Sequence, residues 1–381
     1  MKQALIVAFI LLLVRITTTA QSCLPEGIEF TTQASIDNFQ VNYPNCTEIE
    51  GNVLIKGWDI TNLNGLSAVN SIGGNLIIAD NLNLTSLTGL DNITIIGQEL
   101  WISNNCALTS LTGLLSLTSI GGDLTVQDHS TLTSLAGLNN LSFIGVSLYI
   151  YSNTSLNNLT GIENLTSIGM HLSIGNNPTL TSLTGLDDLS FIGGRLFIYN
   201  NATLNNLTGI GNLTSIGDEI YLMDNNALTS LSGLDNIDAE SITNLRIYSN
   251  VSLSTCYVHS ICDYLATPNG EISIHDNATG CNSEEEVVAA CRIGVDENTT
   301  TECCFIIYLN PSSSFITIEL QSAIALKNTY LSIYSISGQQ VISRQVAEPT
   351  IVIDVGKLLQ GIYFVKLTND KTVQVGKFVK Q

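Results

Sequence analysis

Eight glycines spaced 24 residues apart constrain this chain more than any other feature of its sequence. Each of them is followed by Leu or Ile. A repeat of this length is typical of a solenoid, because one unit is too small to bury its own apolar face and gains a core only by stacking on its neighbours. The glycines are Gly65, Gly89, Gly113, Gly137, Gly161, Gly185, Gly209 and Gly233.

Each unit has the pattern of short β-strands and not of a helix. An Ile-Gly pair, such as Ile144-Gly145, precedes a stretch in which apolar residues alternate, as at Leu148 and Ile150. Alternation turns successive side chains to opposite faces, one set inward and the other outward. A helix is disfavoured because the apolar positions do not follow the roughly 3.6-residue period and because glycine and β-branched residues are abundant. We therefore predict an all-β chain whose 24-residue units stack as a parallel β-solenoid.

Asn or Asp recurs just after the predicted strands, as in Asn104-Asn105 and Asn176-Asn177. One interpretation is a ladder of calcium ions, and the other is a stack of Asn side chains that satisfy backbone groups at a corner. Glycine-aspartate nonapeptides are absent and most of these positions are neutral, which favours the Asn stack. We predict no metal site and no cofactor.

The net charge of −20 at pH 7 is unevenly distributed along the chain. Between residues 21 and 304 only four basic residues occur, against 29 acidic ones. A surface that binds nucleic acid or an anionic membrane needs a basic patch, so neither is an expected partner. Beyond residue 304 seven basic residues outnumber four acidic ones, which predicts a domain boundary. We place the solenoid with its caps at residues 21–300, a linker at 301–304 and a second domain at 305–381.

The first twenty residues have the pattern of a secretory signal peptide. Lys2 precedes an apolar run from Ala4 to Val14, and Thr18-Thr19-Ala20 forms a cleavage site before Gln21. A membrane anchor is the alternative, but the run is shorter than the roughly 20 residues that a membrane span requires. We predict a mature chain without a transmembrane segment, located in a compartment that permits disulfide formation.

The segment from Asn45-Cys46 to Val53-Leu54-Ile55, which contains Ile49-Glu50-Gly51, resembles the receptor L domain of the insulin and epidermal-growth-factor receptor families. The resemblance extends over roughly residues 23–291 and implies a right-handed β-helix. It also implies that Cys23 pairs with Cys46 and holds a capping helix, which we predict over residues 34–43. The units here are more numerous and more regular than those of that family, so the resemblance does not imply hormone binding.

Four cysteines near the other end of the solenoid predict two disulfides in a cap of two short helices around a last strand at Ile272–Ile274. Four cysteines allow three connectivities, and the sequence does not select one. A further cysteine, Cys106, is predicted to be a buried free thiol. The four are Cys256, Cys262, Cys281 and Cys291.

From Phe305 the sequence changes to longer alternating strands, which predict a small Ig-like β-sandwich. Four motifs here resemble the C-terminal sorting domain of type IX secretion cargo, through Asn310, Pro311, Gly338, Gly361, Tyr363 and Lys377. They are Tyr308-Leu309-Asn310-Pro311, Ile333-Tyr334-Ser335-Ile336-Ser337-Gly338, Gly361-Ile362-Tyr363-Phe364-Val365-Lys366 and Lys377-Phe378-Val379-Lys380. The resemblance implies contact with the secretion machinery and a final location outside the cell or on its outer surface. The alternative is an accessory domain without an export role.

Several outward positions of the predicted strands carry aromatic side chains. In parallel register they would form one surface, which could stack sugar rings or anchor a protein partner. Alternatively the rings pack along the sheet and only stabilise it, and the sequence favours neither interpretation. The candidate ligand-binding residues are Trp101, Tyr149, Tyr151, Phe197, Tyr199, Tyr221 and Tyr248.

Catalysis is a second hypothesis, because β-helices include enzymes that degrade polysaccharides. Such enzymes need clustered carboxylates and a proton acceptor, whereas the four His are dispersed and no Ser/His/Asp or HExxH arrangement occurs. Asp187-Asp188 and Asp218-Glu219 are expected at solvated corners. An ice-like Thr array is a weaker third hypothesis, since Asn157 and Asn205 interrupt it. We therefore predict a non-catalytic binding or adhesion module that is exported.

Overall fold

A computed structural model describes residues 21–294, 305–308, 312–320, 329–336, 338–368 and 373–381. The chain divides into two compact units at the boundary between Gly294 and Val295. The predicted signal peptide and the linker at 301–304 lie outside the described residues, as do Asn310 and Pro311 of the sorting motif.

The first unit is built on two long parallel sheets, and each 24-residue turn contributes one strand to each of them. We call the first of them the long-strand sheet. Its eleven strands pair in chain order, as expected for stacked turns. They are Ile28–Phe30, Val53–Ile55, Leu76–Ala79, Leu100–Ser103, Leu124–Gln127, Leu148–Tyr151, Leu172–Gly175, Leu196–Tyr199, Glu219–Met223, Asn244–Tyr248 and Ile272–His275.

The second sheet, the short-strand sheet, has nine strands of two residues each. They are Ser22–Cys23, Glu48–Ile49, Ser71–Ile72, Ile95–Ile96, Ser119–Ile120, Phe143–Ile144, Ser167–Ile168, Phe191–Ile192 and Ser215–Ile216. Single 3₁₀ turns occur at Asn64–Leu66, Thr208–Ile210 and Ala239–Ser241. Two parallel sheets of stacked turns confirm the predicted solenoid.

One continuous apolar core runs through the stack. In a typical turn, Leu172 and Ile174 of the long strand and Leu180 at the next corner are fully buried. Glycine recurs at one position of each unit because consecutive turns approach each other closely there. Gly113 has a φ of +120°, and a Cβ on it would lie 2.1 Å from the carbonyl oxygen of Leu87 in the preceding turn. A side chain there would push the turns apart.

The corner after each long strand is held by a column of buried Asn side chains, which confirms the predicted Asn stack. Asn177 shows the pattern: its Nδ2 donates to the carbonyl oxygen of Ile150 at 2.9 Å, and its backbone N–H donates to Oδ1 of Asn201 in the next turn at 3.1 Å. We call this column the Asn ladder. Its fully buried members are Asn81, Asn105, Asn153, Asn177, Asn201, Asn225 and Asn250, and His129 occupies the same place in one turn.

Both ends of the solenoid carry helices and disulfides. At the front are Gln33–Asp37 and Phe39–Asn42, with the disulfide Cys23–Cys46 that the resemblance implied. The single helix predicted over 34–43 is wrong, because the Nδ2 of Asn38 donates to the carbonyl oxygen of Ala34 at 2.8 Å and ends the first helix. At the rear are His259–Ala266 and Glu284–Gly294, with disulfides Cys256–Cys281 and Cys262–Cys291. Cys106 is a free thiol as predicted, but it is half-buried and not buried.

The second unit is an antiparallel β region of two sheets that share an apolar core. Ile316 and Ile318 of one sheet and Leu331 and Val365 of the other are buried in that core. The three-stranded sheet contains Phe305–Tyr308, Phe315–Leu320 and Thr350–Asp354. The four-stranded sheet contains Gln340–Gln345, Tyr330–Ser335, Gly361–Thr368 and Val373–Lys380.

Candidate ligand-binding face

The outer surface of the long-strand sheet brings the predicted aromatic residues together. Residues that point outward fall into two columns, because side chains alternate along a strand and the parallel strands pair in register. The first column reads Trp101, Thr125, Tyr149, Ser173, Phe197, Tyr221 and Arg246. The second reads Ser103, Gln127, Tyr151, Gly175, Tyr199, Met223, Tyr248 and His275. We call these two columns the aromatic face.

All seven aromatic residues named from the sequence lie on this face, and each is half-buried. The small residues between them are deeply covered: Thr125 is 4 % exposed and Ser173 is 8 % exposed. Large side chains in neighbouring turns therefore lean over the small ones and form a nearly continuous surface.

A series of ring contacts runs along the second half of the face. The ring centroids are 6.4 Å apart for His171 and Phe197, and 5.4 Å apart for Phe197 and Tyr221. Tyr221 and Tyr248 follow at 5.6 Å, and Tyr248 stacks on His275 at 4.9 Å with an interplanar angle of 8°. Edge and stacked pairs of this kind each contribute about 0.5–1.5 kcal/mol beyond area burial, so ring packing along the sheet is present.

The hydroxyl groups of Tyr221 and Tyr248 are 2.5 Å apart and form a hydrogen bond. This bond, together with burial, raises the pKa of Tyr221 to about 12. The Tyr221 phenol therefore stays protonated across the neutral range and, with the Tyr248 hydroxyl, provides a polar pair on the aromatic face.

A cluster of charges lies at the end of the first column and along its border. Arg246 Nε lies 3.1 Å from Glu219 Oε1, and Arg195 Nε lies 2.6 Å from Asp218 Oδ2. Arg246 also pairs with Glu271 at 3.0 Å, and the Arg195 guanidinium is 5.8 Å from the centroid of the Phe197 ring. Two of the few basic residues of the solenoid are thus engaged by carboxylates on this border.

The expectation that Glu219 is solvated at a corner is wrong. Its long strand already begins at Glu219, and its side chain is only 6 % exposed. The buried carboxylate is balanced by Arg246 and Arg195, which lie in the turns on either side of it.

Further carboxylates border the first half of the face on both sides. Burial, followed by the nearby Asp123, raises the pKa of Glu99. Burial, followed by Asp128 on the other side, raises the pKa of the Tyr151 phenol. Both borders of the first half of the aromatic face therefore carry carboxylates.

Three side chains of this surface were not predicted from the sequence, namely His171, Arg195 and His275. Their positions within the repeat could have identified them. His171 and Arg195 each stand one residue before the first apolar residue of a long strand, and His275 occupies the same register as Tyr248.

The four histidines lie apart from one another. Both ring nitrogens of His129 face backbone carbonyls inside the Asn ladder, and burial lowers its pKa. His259 lies 3.3 Å from Asp263 beside the rear cap, while His171 and His275 belong to the ring series. A cavity of about 1160 Å³ near His259 is lined by several carboxylates, namely Asp235, Asp238, Glu240 and Asp263.

The described residues of the sorting motif lie on turns and paired strands of the second unit. Tyr363 is buried, donates a hydrogen bond from its hydroxyl to the carbonyl oxygen of Leu359 at 3.0 Å, and stacks on Phe378. Gly338 has a φ of +80° and Gly361 a φ of +155°. Lys377 pairs with Phe364 across the last two strands.

Two known families match parts of this chain, and both are the families that the motifs indicated. Residues 306–381 match the secretion system C-terminal sorting domain, and residues 45–112 match the receptor L domain. The first match supports delivery of the protein by type IX secretion to the outer surface or the exterior of the cell. No curated protein matches the chain. In the part of the chain that the structure describes, no helix has the length and apolar character of a membrane span.

Proposed function

We propose that this protein is a non-catalytic binding or adhesion module that presents the aromatic face outside the cell. The proposal depends on one observation, which is that seven half-buried aromatic residues lie in two adjacent columns of one sheet. Aromatic rings combine a large apolar area with few rotatable bonds, so they bind partners with little loss of conformational entropy. A glycan or a protein is the ligand class that such a surface suits.

The sorting domain supports the rest of the proposal. The match to this domain supports delivery outside the cell, and extended ligands such as surface polysaccharides are present there. Residues 1–20 supply the signal peptide that begins the export. The Ig-like unit then engages the secretion machinery through residues of the four motifs.

The experiment compares two triple variants of the secreted full-length chain. In the first, Tyr149, Phe197 and Tyr221 of the aromatic face are each replaced by Ser. The control replaces Ile95, Phe143 and Phe191 of the short-strand sheet by Ser, because these residues are apolar and 44–49 % exposed but lie on the other sheet. Binding to a glycan array and to outer-surface extracts is measured for both.

The proposal predicts that the aromatic-face variant loses binding while the control keeps it. Circular dichroism of both variants should match the unmodified chain, since none of the replaced side chains points into the core. Unchanged binding by the aromatic-face variant would refute a role for this surface.

A polysaccharide-degrading enzyme is the second candidate, and the cavity beside the rear cap favours it. Asp238, Glu240, Asp263 and His259 line this cavity, and clustered carboxylates are what glycoside cleavage uses. Release of reducing ends from a polysaccharide panel, abolished by Asp263→Asn, would establish this candidate in place of the binding module.

A further inference from the structure

Rings that are two turns apart recur in both columns of the aromatic face. In the first column they are Trp101, Tyr149 and Phe197, with Thr125 and Ser173 between them, and Tyr221 adds a ring in the turn directly after Phe197. In the second column Tyr151, Tyr199 and Tyr248 are likewise two strands apart. Parallel strands are about 4.8 Å apart, so equivalent rings recur about every 10 Å along the solenoid axis.

The Tyr199 ring lies flat on the sheet. A Cβ on Gly175, in the adjacent strand, would be 2.1 Å from Tyr199 Cζ and 2.4 and 2.5 Å from its two Cε atoms. Nearly equal distances to these three atoms place the tip of the ring face-down over the glycine. Tyr199 is only half-buried although one ring face lies on the glycine, so part of the ring remains accessible to solvent. Gly175 is therefore the residue that lets this ring serve as a flat platform.

An extended β-1,4-linked polysaccharide matches a period of two strands. Alternate sugars in such a chain are turned over, so the same apolar C–H face recurs at every second sugar. Each sugar is close in length to one strand spacing. A chain laid along the solenoid axis therefore presents equivalent faces to rings that are two strands apart.

The charges beside the aromatic face favour a neutral polysaccharide over an anionic one. Carboxylates border both sides of the columns at Glu99, Asp123 and Asp128, and would repel a polyuronate. Arg195 and Arg246, which could otherwise attract an anionic chain, are already paired with Asp218, Glu219 and Glu271.

We propose that the aromatic face binds a neutral β-1,4-linked polysaccharide that runs along the solenoid axis and places every second sugar on a ring such as Tyr199. This inference rests on the proposed binding function and adds the ligand class, its direction and its spacing.

The experiment is isothermal titration calorimetry of the secreted full-length chain with cello- and chito-oligosaccharides of increasing length. Oligogalacturonates of the same lengths are the anionic comparison. We expect the affinity for the neutral oligomers to rise in steps as each second sugar is added. We expect no measurable binding of the oligogalacturonates.

Two single variants test the platform itself. Tyr199→Ala should weaken binding of the neutral hexamers about tenfold, which corresponds to about 1.4 kcal/mol. Gly175→Ala should weaken it similarly without removing any ring, because the added methyl group displaces the tip of the Tyr199 side chain. Phe191→Ala on the short-strand sheet is the control and should bind as the unmodified chain does.

Affinity that does not depend on oligomer length, or unchanged binding by Gly175→Ala, would overturn the inference. The inference also fails if no neutral oligomer binds. The proposed binding function still stands in that case if the triple aromatic-face variant loses binding of another ligand that the unmodified chain binds. If the triple variant loses no ligand of any kind, the proposed function fails as well.

Discussion

Replacing His129 by Asn should make the solenoid more stable and less sensitive to acid. His129 interrupts the Asn ladder and is fully buried. Its Nε2 and Nδ1 lie 3.2 and 3.3 Å from the carbonyl oxygens of Ile102 and Asn105. A neutral imidazole has one N–H and can donate to only one of these carbonyls. Protonation would satisfy both, but burial outweighs this gain and lowers the pKa of His129.

The lowered pKa sets the direction of the pH effect. Below about pH 6.5, where an exposed histidine is protonated, the unfolded chain binds a proton that the folded chain resists. Stability is therefore retained above that pH and is lost as the pH falls toward the folded-state pKa. The loss is at most about 1.4 kcal/mol per pH unit.

The Asn variant gains in two ways. It removes the titrating group, and it supplies an Oδ1 that can accept the backbone N–H of Asn105, as Asn201 does for Asn177. One such hydrogen bond contributes about 1 kcal/mol at neutral pH. The advantage of His129→Asn over the unmodified chain should then grow by at most about 2 kcal/mol between pH 6.5 and pH 5.

Urea unfolding followed by tryptophan fluorescence measures this difference, since both tryptophans, Trp58 and Trp101, belong to the solenoid. Asn153→His is the matched reverse variant and should add acid sensitivity at a second place in the ladder. An advantage of His129→Asn that is equal at pH 5 and pH 8 would refute the argument from burial of the imidazole.

The sequence predicts the solenoid and the contents of its columns well, because the repeat aligns every unit with the next. Once Leu148 and Ile150 point inward, Tyr149 and Tyr151 have to point outward, and parallel register places Phe197 and Tyr199 in the same columns. The Asn ladder follows from the same alignment. These features can be predicted from the repeat period and the direction of each side chain alone.

Other features depend on contacts that the repeat does not encode. The flat position of Tyr199 requires the glycine at 175 in the neighbouring turn. The burial of Glu219 requires Arg195 and Arg246, which lie in the turns before and after it. Cys256 and Cys281 each lie three residues before a cap helix, so their pairing depends on where these helices begin, and the irregular sequence of the cap leaves that undetermined.

Two further predictions test the export unit and the repeating glycine. A periplasmic reporter fused to residues 305–381 should reach the outside of a host that has type IX secretion, and retention in the periplasm would contradict the assigned role of this unit. Gly113→Ala should lower the free energy of unfolding by more than about 1 kcal/mol, because it combines a φ of +120° with a contact of 2.1 Å between the added Cβ and the backbone of the preceding turn. Gly211→Ala is the control: its nearest neighbour, the carbonyl oxygen of Thr208, is 3.2 Å from the added Cβ, and its φ is −64°. If the two variants have the same free energy of unfolding, close approach of the turns is not the reason for glycine at this position.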